Sequence, residues 1–90
     1  MGAAIKQKKK LYIRIKDNFT CVYCDKLYSS KCVLTVDHVY PKYLLTKGKN
    51  RASNLVTSCF DCNKKKGTLL LTEFIKACDI KITKRLMEFL

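Results

Sequence analysis

Two Cys-x-x-Cys pairs, Cys21/Cys24 and Cys59/Cys62, and an Asp37-His38 dipeptide between them are the residues of this chain best suited to chemistry. A two-residue spacer lets both sulfurs of a pair reach one ion. Two pairs supply the four thiolates of a closed tetrahedral zinc site. With four protein ligands such a site has no open position, so its zinc is structural. Disulfides or a redox dithiol are the competing readings. A redox motif needs one pair in a longer βαβ pattern, and disulfides fit poorly where no secretory signal is evident. Cys32 and Cys78 fall outside the pairs and are expected to be small buried hydrophobes. His38 is the chain's only histidine. An imidazole, with an ordinary pKa of about 6.5, suits a general base at neutral pH.

These residues stand in a longer order: Cys21-x-x-Cys24, Asp37-His38-Val39-Tyr40-Pro41, Asn54-Leu55, then Cys59-x-x-Cys62-Asn63-Lys64-Lys65-Lys66-Gly67. In that order the chain resembles the HNH endonuclease family, in its HNN variant by the third letter. It is also similar to phage endonuclease VII-type nucleases. The resemblance covers roughly residues 14–67. It implies an α+β fold, a small ββα-metal (His-Me) finger stapled by the four-cysteine zinc site, with short helices flanking it. It further implies a metal-dependent enzyme that hydrolyses DNA phosphodiester bonds. The family pattern gives His38 the role of general base. It makes Asp37 and Asn63 the ligands of a catalytic divalent cation. Asn54 joins the catalytic set by hydrogen-bonding the long loop and holding the His38 strand in register. Carboxylate and amide oxygens are hard donors, which favours Mg²⁺ or Mn²⁺. Family members with His in place of Asn63 tolerate softer ions.

Nineteen basic residues face seven acidic ones, for a net charge of +12. An excess of this size points to a polyanion as partner. The alternative for the charge alone is a lysine bias that serves solubility. Lys66 lies three residues after Asn63 and shares its side of a helix, so it is the first candidate for phosphate contact. Arg51, Lys42, Lys64 and Lys65 are further candidates for nucleic-acid binding. The expected partner is DNA, duplex or branched. No run approaches the ~20 apolar residues of a membrane span, and an intracellular location is expected. A non-catalytic zinc-binding module that only holds nucleic acid is the rival reading. It has no need for Asp37, His38 and Asn63 together.

The elements that must carry these residues are short. Residues 1–90 are expected to form one nuclease domain. Residues 1–10 read as a basic leader, expected to be disordered. Tyr12–Lys16 alternates but is too short to assign, and Asp17-Asn18 reads as a turn. Val33–Val36 is strand-like and runs into Asp37-His38. Neighbouring strand residues face opposite ways, so the strand must end or bend there for both to serve one site. Residues 40–53 form a long polar loop, and Leu55–Ser58 a second strand. Asp61–Lys66 is a helix stopped by Gly67. Thr72 and Thr83 are expected to cap helices over Glu73–Cys78 and Lys84–Leu90. Leu86, Met87, Phe89 and Leu90 in the last segment suit packing on the domain's own core. A monomer or weak homodimer is expected.

Overall fold

The computed structural model describes residues 5–29, 33–41, 48 and 50–90. Its order is α1 (Gln7–Lys16), β1 (Leu34–His38), a 3-10 turn (Ala52–Asn54), β2 (Leu55–Cys59), α2 (Phe60–Lys66), α3 (Leu71–Cys78) and α4 (Lys84–Met87). This is the expected small α+β arrangement, with a two-stranded antiparallel sheet leading straight into α2. Leu34 pairs with Cys59, Asp37 with Val56 and His38 with Leu55. The strand ends at His38, where the sequence predicts an end or a bend. Every residue of β2 is buried, so it forms the centre of the molecule. Among the described residues no helix is long and apolar enough to cross a membrane.

The first helix corrects the expectation of a disordered leader for residues 7–10, while residues 1–4 lie outside the described residues. Gln7–Lys16 is made of good helix formers (Lys, Gln, Leu, Arg) and buries Ile13 completely. Arg14 and Lys16 stand in its last turn, where cations suit the helix dipole. The chain then reverses through Asn18 and Phe19, both with positive φ. Gly67 ends α2 with φ 50°, a conformation open to glycine, and its N–H bonds back to the Asn63 carbonyl. Thr83 caps α4 by accepting from the Leu86 N–H. Thr72 does not cap α3. That helix starts two residues earlier, at Leu71, which is drawn into the core, and the Glu73 carboxylate reaches back to the Leu70 N–H at 2.8 Å.

The core gathers Val22 and Tyr23 of the first knuckle, Leu34, Val39 and Val56 of the sheet region, and Leu71, Phe74 and Leu86 of the C-terminal helices. Phe74 meets the Tyr23 ring edge-on at 5.2 Å between centroids. Cys78 is exposed at the end of α3 rather than buried, and Cys32 lies outside the described residues.

Asp17 ties three elements together. Its buried carboxylate accepts from the Thr57 N–H of β2 and from Arg85 Nε of α4, each at 2.8 Å. Arg85 also donates to the Leu55 carbonyl. Removing one member of a buried, hydrogen-bonded pair strands the other and costs about 3–5 kcal/mol. Asp17→Ala is therefore expected to lower unfolding free energy by about 3 kcal/mol, read by denaturant titration of the zinc-loaded protein. A loss under about 1 kcal/mol would mean that Arg85 and Thr57 find other partners.

Candidate active site

The four cysteines of the two pairs converge, with their sulfurs all within 4.8 Å of one another. Cys24 and Cys59 Sγ are 3.7 Å apart. A zinc–sulfur bond of ~2.3 Å gives a tetrahedral edge of about 3.8 Å, so the cluster has the dimensions of a four-thiolate zinc site. Cys59 closes β2 and its sulfur accepts the Cys62 N–H at the start of α2. Burial pushes the Cys24 thiol up to about 11. Burial, then the neighbouring Cys21, pushes Cys62 up as well. Burial opposes ionisation of Cys59 too, but the Cys62 N–H and neighbouring sulfurs outweigh it and leave this thiol below its ordinary value.

Beside the cluster, β1 and α2 form one wall of a cleft of about 720 Å³. Asp37, His38 and Asn63 all line it, with Thr35 between them. Its rim includes Lys10 and Arg14 of α1. Asp37 is nearly buried, and its Oδ2 accepts from Tyr23 Oη at 2.6 Å and lies 3.2 Å from Lys66 Nζ. Burial, then the Asp37 charge, holds the Tyr23 phenol protonated and well above its ordinary range, so it remains a donor. Both bonds fall on one oxygen, which leaves Oδ1 without a bond among the described residues. Asn63 is held similarly. Its Nδ2 donates to Thr35 Oγ1 at 2.8 Å, and Thr35 donates on to the Ser58 carbonyl. The Asn63 side-chain oxygen is thereby left to the cleft. His38 Nε2 sits 2.7 Å from Asn50 Oδ1.

Asn54 does not line the cleft. It is buried, and its amide clasps Tyr40, accepting from the Tyr40 N–H at 2.8 Å and donating to its carbonyl at 3.2 Å. Its own carbonyl receives the Val39 N–H. This geometry pins the chain directly after His38.

Lys66 departs from expectation. Helical spacing does put it on the Asn63 side of α2, but that side packs on β1. The side chain is fully buried, and Nζ donates to the His38 carbonyl at 2.9 Å while pairing with Asp37. Its charge is spent inside the protein and is not presented to a phosphate. Lys64, Lys65 and Arg51 are exposed. Lys42 lies outside the described residues. Tyr23, Thr35, Asn50, Lys10 and Arg14 are the site residues that sequence reasoning missed. Thr35 alone had a legible signal, standing two residues from Asp37 and so on the same strand face.

The chain matches the HNH endonuclease family over residues 21–69, more than half its length, and belongs to it. Among curated proteins none matches the chain.

One zinc per chain is expected, retained on dialysis and lost when any of Cys21, Cys24, Cys59 or Cys62 becomes Ser. Raised thiol pKa values mean that metal-free Cys24 and Cys62 carry protons that zinc must expel, so affinity rises with pH. Chelator competition at several pH values measures this. A pH-independent zinc affinity would overturn it.

Proposed function

We propose that residues 1–90 form a metal-dependent endonuclease that hydrolyses phosphodiester bonds in duplex or branched DNA with weak sequence specificity. The observation that carries this reading is Asp37, His38 and Asn63 on one cleft, each side chain held by a hydrogen bond with a neighbour. Family membership supports nuclease chemistry. Two hard oxygens without a hydrogen bond among the described residues, Asp37 Oδ1 and Asn63 Oδ1, suit Mg²⁺ or Mn²⁺. When bound there, such an ion would neutralise phosphoryl charge and support the leaving oxygen. His38 takes the proton of the attacking water as the new P–O bond forms, and the bond to the 3′-oxygen breaks. Tyr23 and Lys66 hold Asp37, Thr35 turns Asn63, and Asn54 keeps the loop after His38 in place. One histidine gives one base per chain, so each event cuts one strand. We infer a monomer that nicks duplex DNA.

The net charge of +12 draws phosphate, and Lys10 and Arg14 bring part of it to the cleft rim. They sit one helical turn apart, on the side of α1 that faces the reacting groups. Lys64 and Lys65 add charge on the exposed side of α2.

A second reading has one observation in its favour. Lys66 already pairs with Asp37, so the carboxylate does not need a divalent cation to be satisfied. A module of this kind would bind DNA and never cut it.

His38→Ala is expected to retain DNA in a gel-shift assay and lose nicking of supercoiled plasmid by ~10²–10⁴-fold, the contribution of a positioned base. Normal cleavage by His38→Ala would remove the assignment. No cleavage by the unaltered protein with either Mg²⁺ or Mn²⁺ would establish the binding module.

Replacing Lys10 and Arg14 by Gln is expected to weaken DNA binding. It should also flatten the log–log salt dependence by about 0.9 for each phosphate that is no longer neutralised. An unchanged slope would place the phosphate track elsewhere.

A further inference from the structure

Asn50 stands in the loop before the 3-10 turn, apart from the paired cysteines and the Asp37-His38 dipeptide, yet its side chain meets the His38 ring. Its Oδ1 lies 2.7 Å from Nε2. We infer that Asn50 is a positioning residue that sets the tautomer of His38, so that Nε2 carries the ring proton and Nδ1 keeps the lone pair.

Hydrogen-bond capacity makes the case. An amide carbonyl oxygen only accepts, and a neutral imidazole has one N–H and one lone pair. The nitrogen that faces the carbonyl must therefore hold the proton. The lone pair that a base needs is left on Nδ1. The opposite tautomer would set lone pair against lone pair at 2.7 Å and leave no acceptor for a proton from water. An aspartate at this position would accept equally well. It would also favour the imidazolium, which has no lone pair to offer. A neutral amide orients the ring without adding charge.

The contact is braced from both sides. Lys9 Nζ of α1 donates to the Asn50 main-chain carbonyl at 2.8 Å. Arg51 N–H closes onto the Gly48 carbonyl, shaping the turn that presents Asn50. Lys66 Nζ holds the His38 main-chain carbonyl at 2.9 Å. Backbone and ring of His38 are thus fixed by different elements, α2 behind and the loop in front. A ring held only at its backbone would still rotate about its side-chain bonds. The amide removes that freedom and selects the tautomer together.

The use of this tautomer rests on the endonuclease reading, but its test does not need cleavage. His38 is the only histidine, so its ring nitrogens are identified without assignment. Long-range ¹H–¹⁵N spectra of the zinc-loaded full chain are recorded at about pH 9, far above the ordinary imidazole pKa of about 6.5. The unaltered protein is expected to show a protonated Nε2 and an unprotonated Nδ1. Asn50→Asp should keep that pattern, since a carboxylate only accepts. Asn50→Ala should bring the two shifts together as the tautomers mix. It should also slow kcat roughly tenfold or more with KM unchanged, within the ~10²–10⁴-fold owed to the base. A proton on Nδ1 in the unaltered protein overturns the inference, and that spectrum decides even if Asn50→Ala fails to fold. Unmoved shifts in a folded, zinc-bearing Asn50→Ala overturn it too. Absence of all cleavage would sink the endonuclease reading and leave the tautomer result standing.

Discussion

The convergence of four sulfurs within 4.8 Å is the constraint on which the rest of the structure depends. Cys59 and Cys62 fix where β2 stops and α2 begins, so Asn63 follows one residue after a pinned position. Cys21 and Cys24 fix the other knuckle, and Tyr23, inside its spacer, is thereby aimed at Asp37. Both hard-oxygen residues of the cleft take their places from the same staple. A two-stranded sheet of five residues a side is marginal alone. Chains of this size rarely bury enough apolar surface to fold without help, and a metal held by the four clustered thiolates would supply it. The C-terminal helices then cover the knuckle from the far side, through Phe74 on Tyr23 and the Asp17–Arg85 pair.

In this basic chain two buried carboxylates are each paired with one of its own cations. Asp17 is neutralised for structure, by Arg85 and a backbone N–H. Asp37 is neutralised by Lys66 while a phenol donates to the same oxygen. Leaving a carboxylate buried without such partners costs several kcal/mol. The pairing on Oδ2 offsets that cost and leaves Oδ1 without a bond among the described residues. A cation placed there would meet a carboxylate that is preformed but already partly satisfied, in competition with the Lys66 ammonium.

Local signals were legible and through-space ones were not. The x-x spacers, the strand-like run into Asp37 and the glycine after three lysines each encode structure within a few residues, so the cysteine cluster, both strands and α2 could be read directly. The lysine run before Leu11 has no broad apolar stripe. Its helix is secured by one buried residue, Ile13, and by the turn at Asn18, neither visible as a pattern. Lys66 shows the limit of helical spacing, which tells which side a residue takes but not whether that side is covered. Thr72 lost the cap because burial of Leu71 outweighed a local preference. Asn50 lies in a loop without periodicity, and only its distance from His38 reveals it.

Helix α1 gives the basic leader two tasks at once. Lys10 and Arg14 stand at the cleft rim, while Lys9, next to Lys10, holds the carbonyl of the residue that meets the His38 ring. Successive helix positions are ~100° apart, so one short helix can point basic residues both at the cleft and at the loop. The helix at the cleft rim is thus joined by a hydrogen bond to the residue that meets the His38 ring. Lys9 already reaches the Asn50 carbonyl at 2.8 Å, so the position of α1 and that of the loop residue beside His38 are set together.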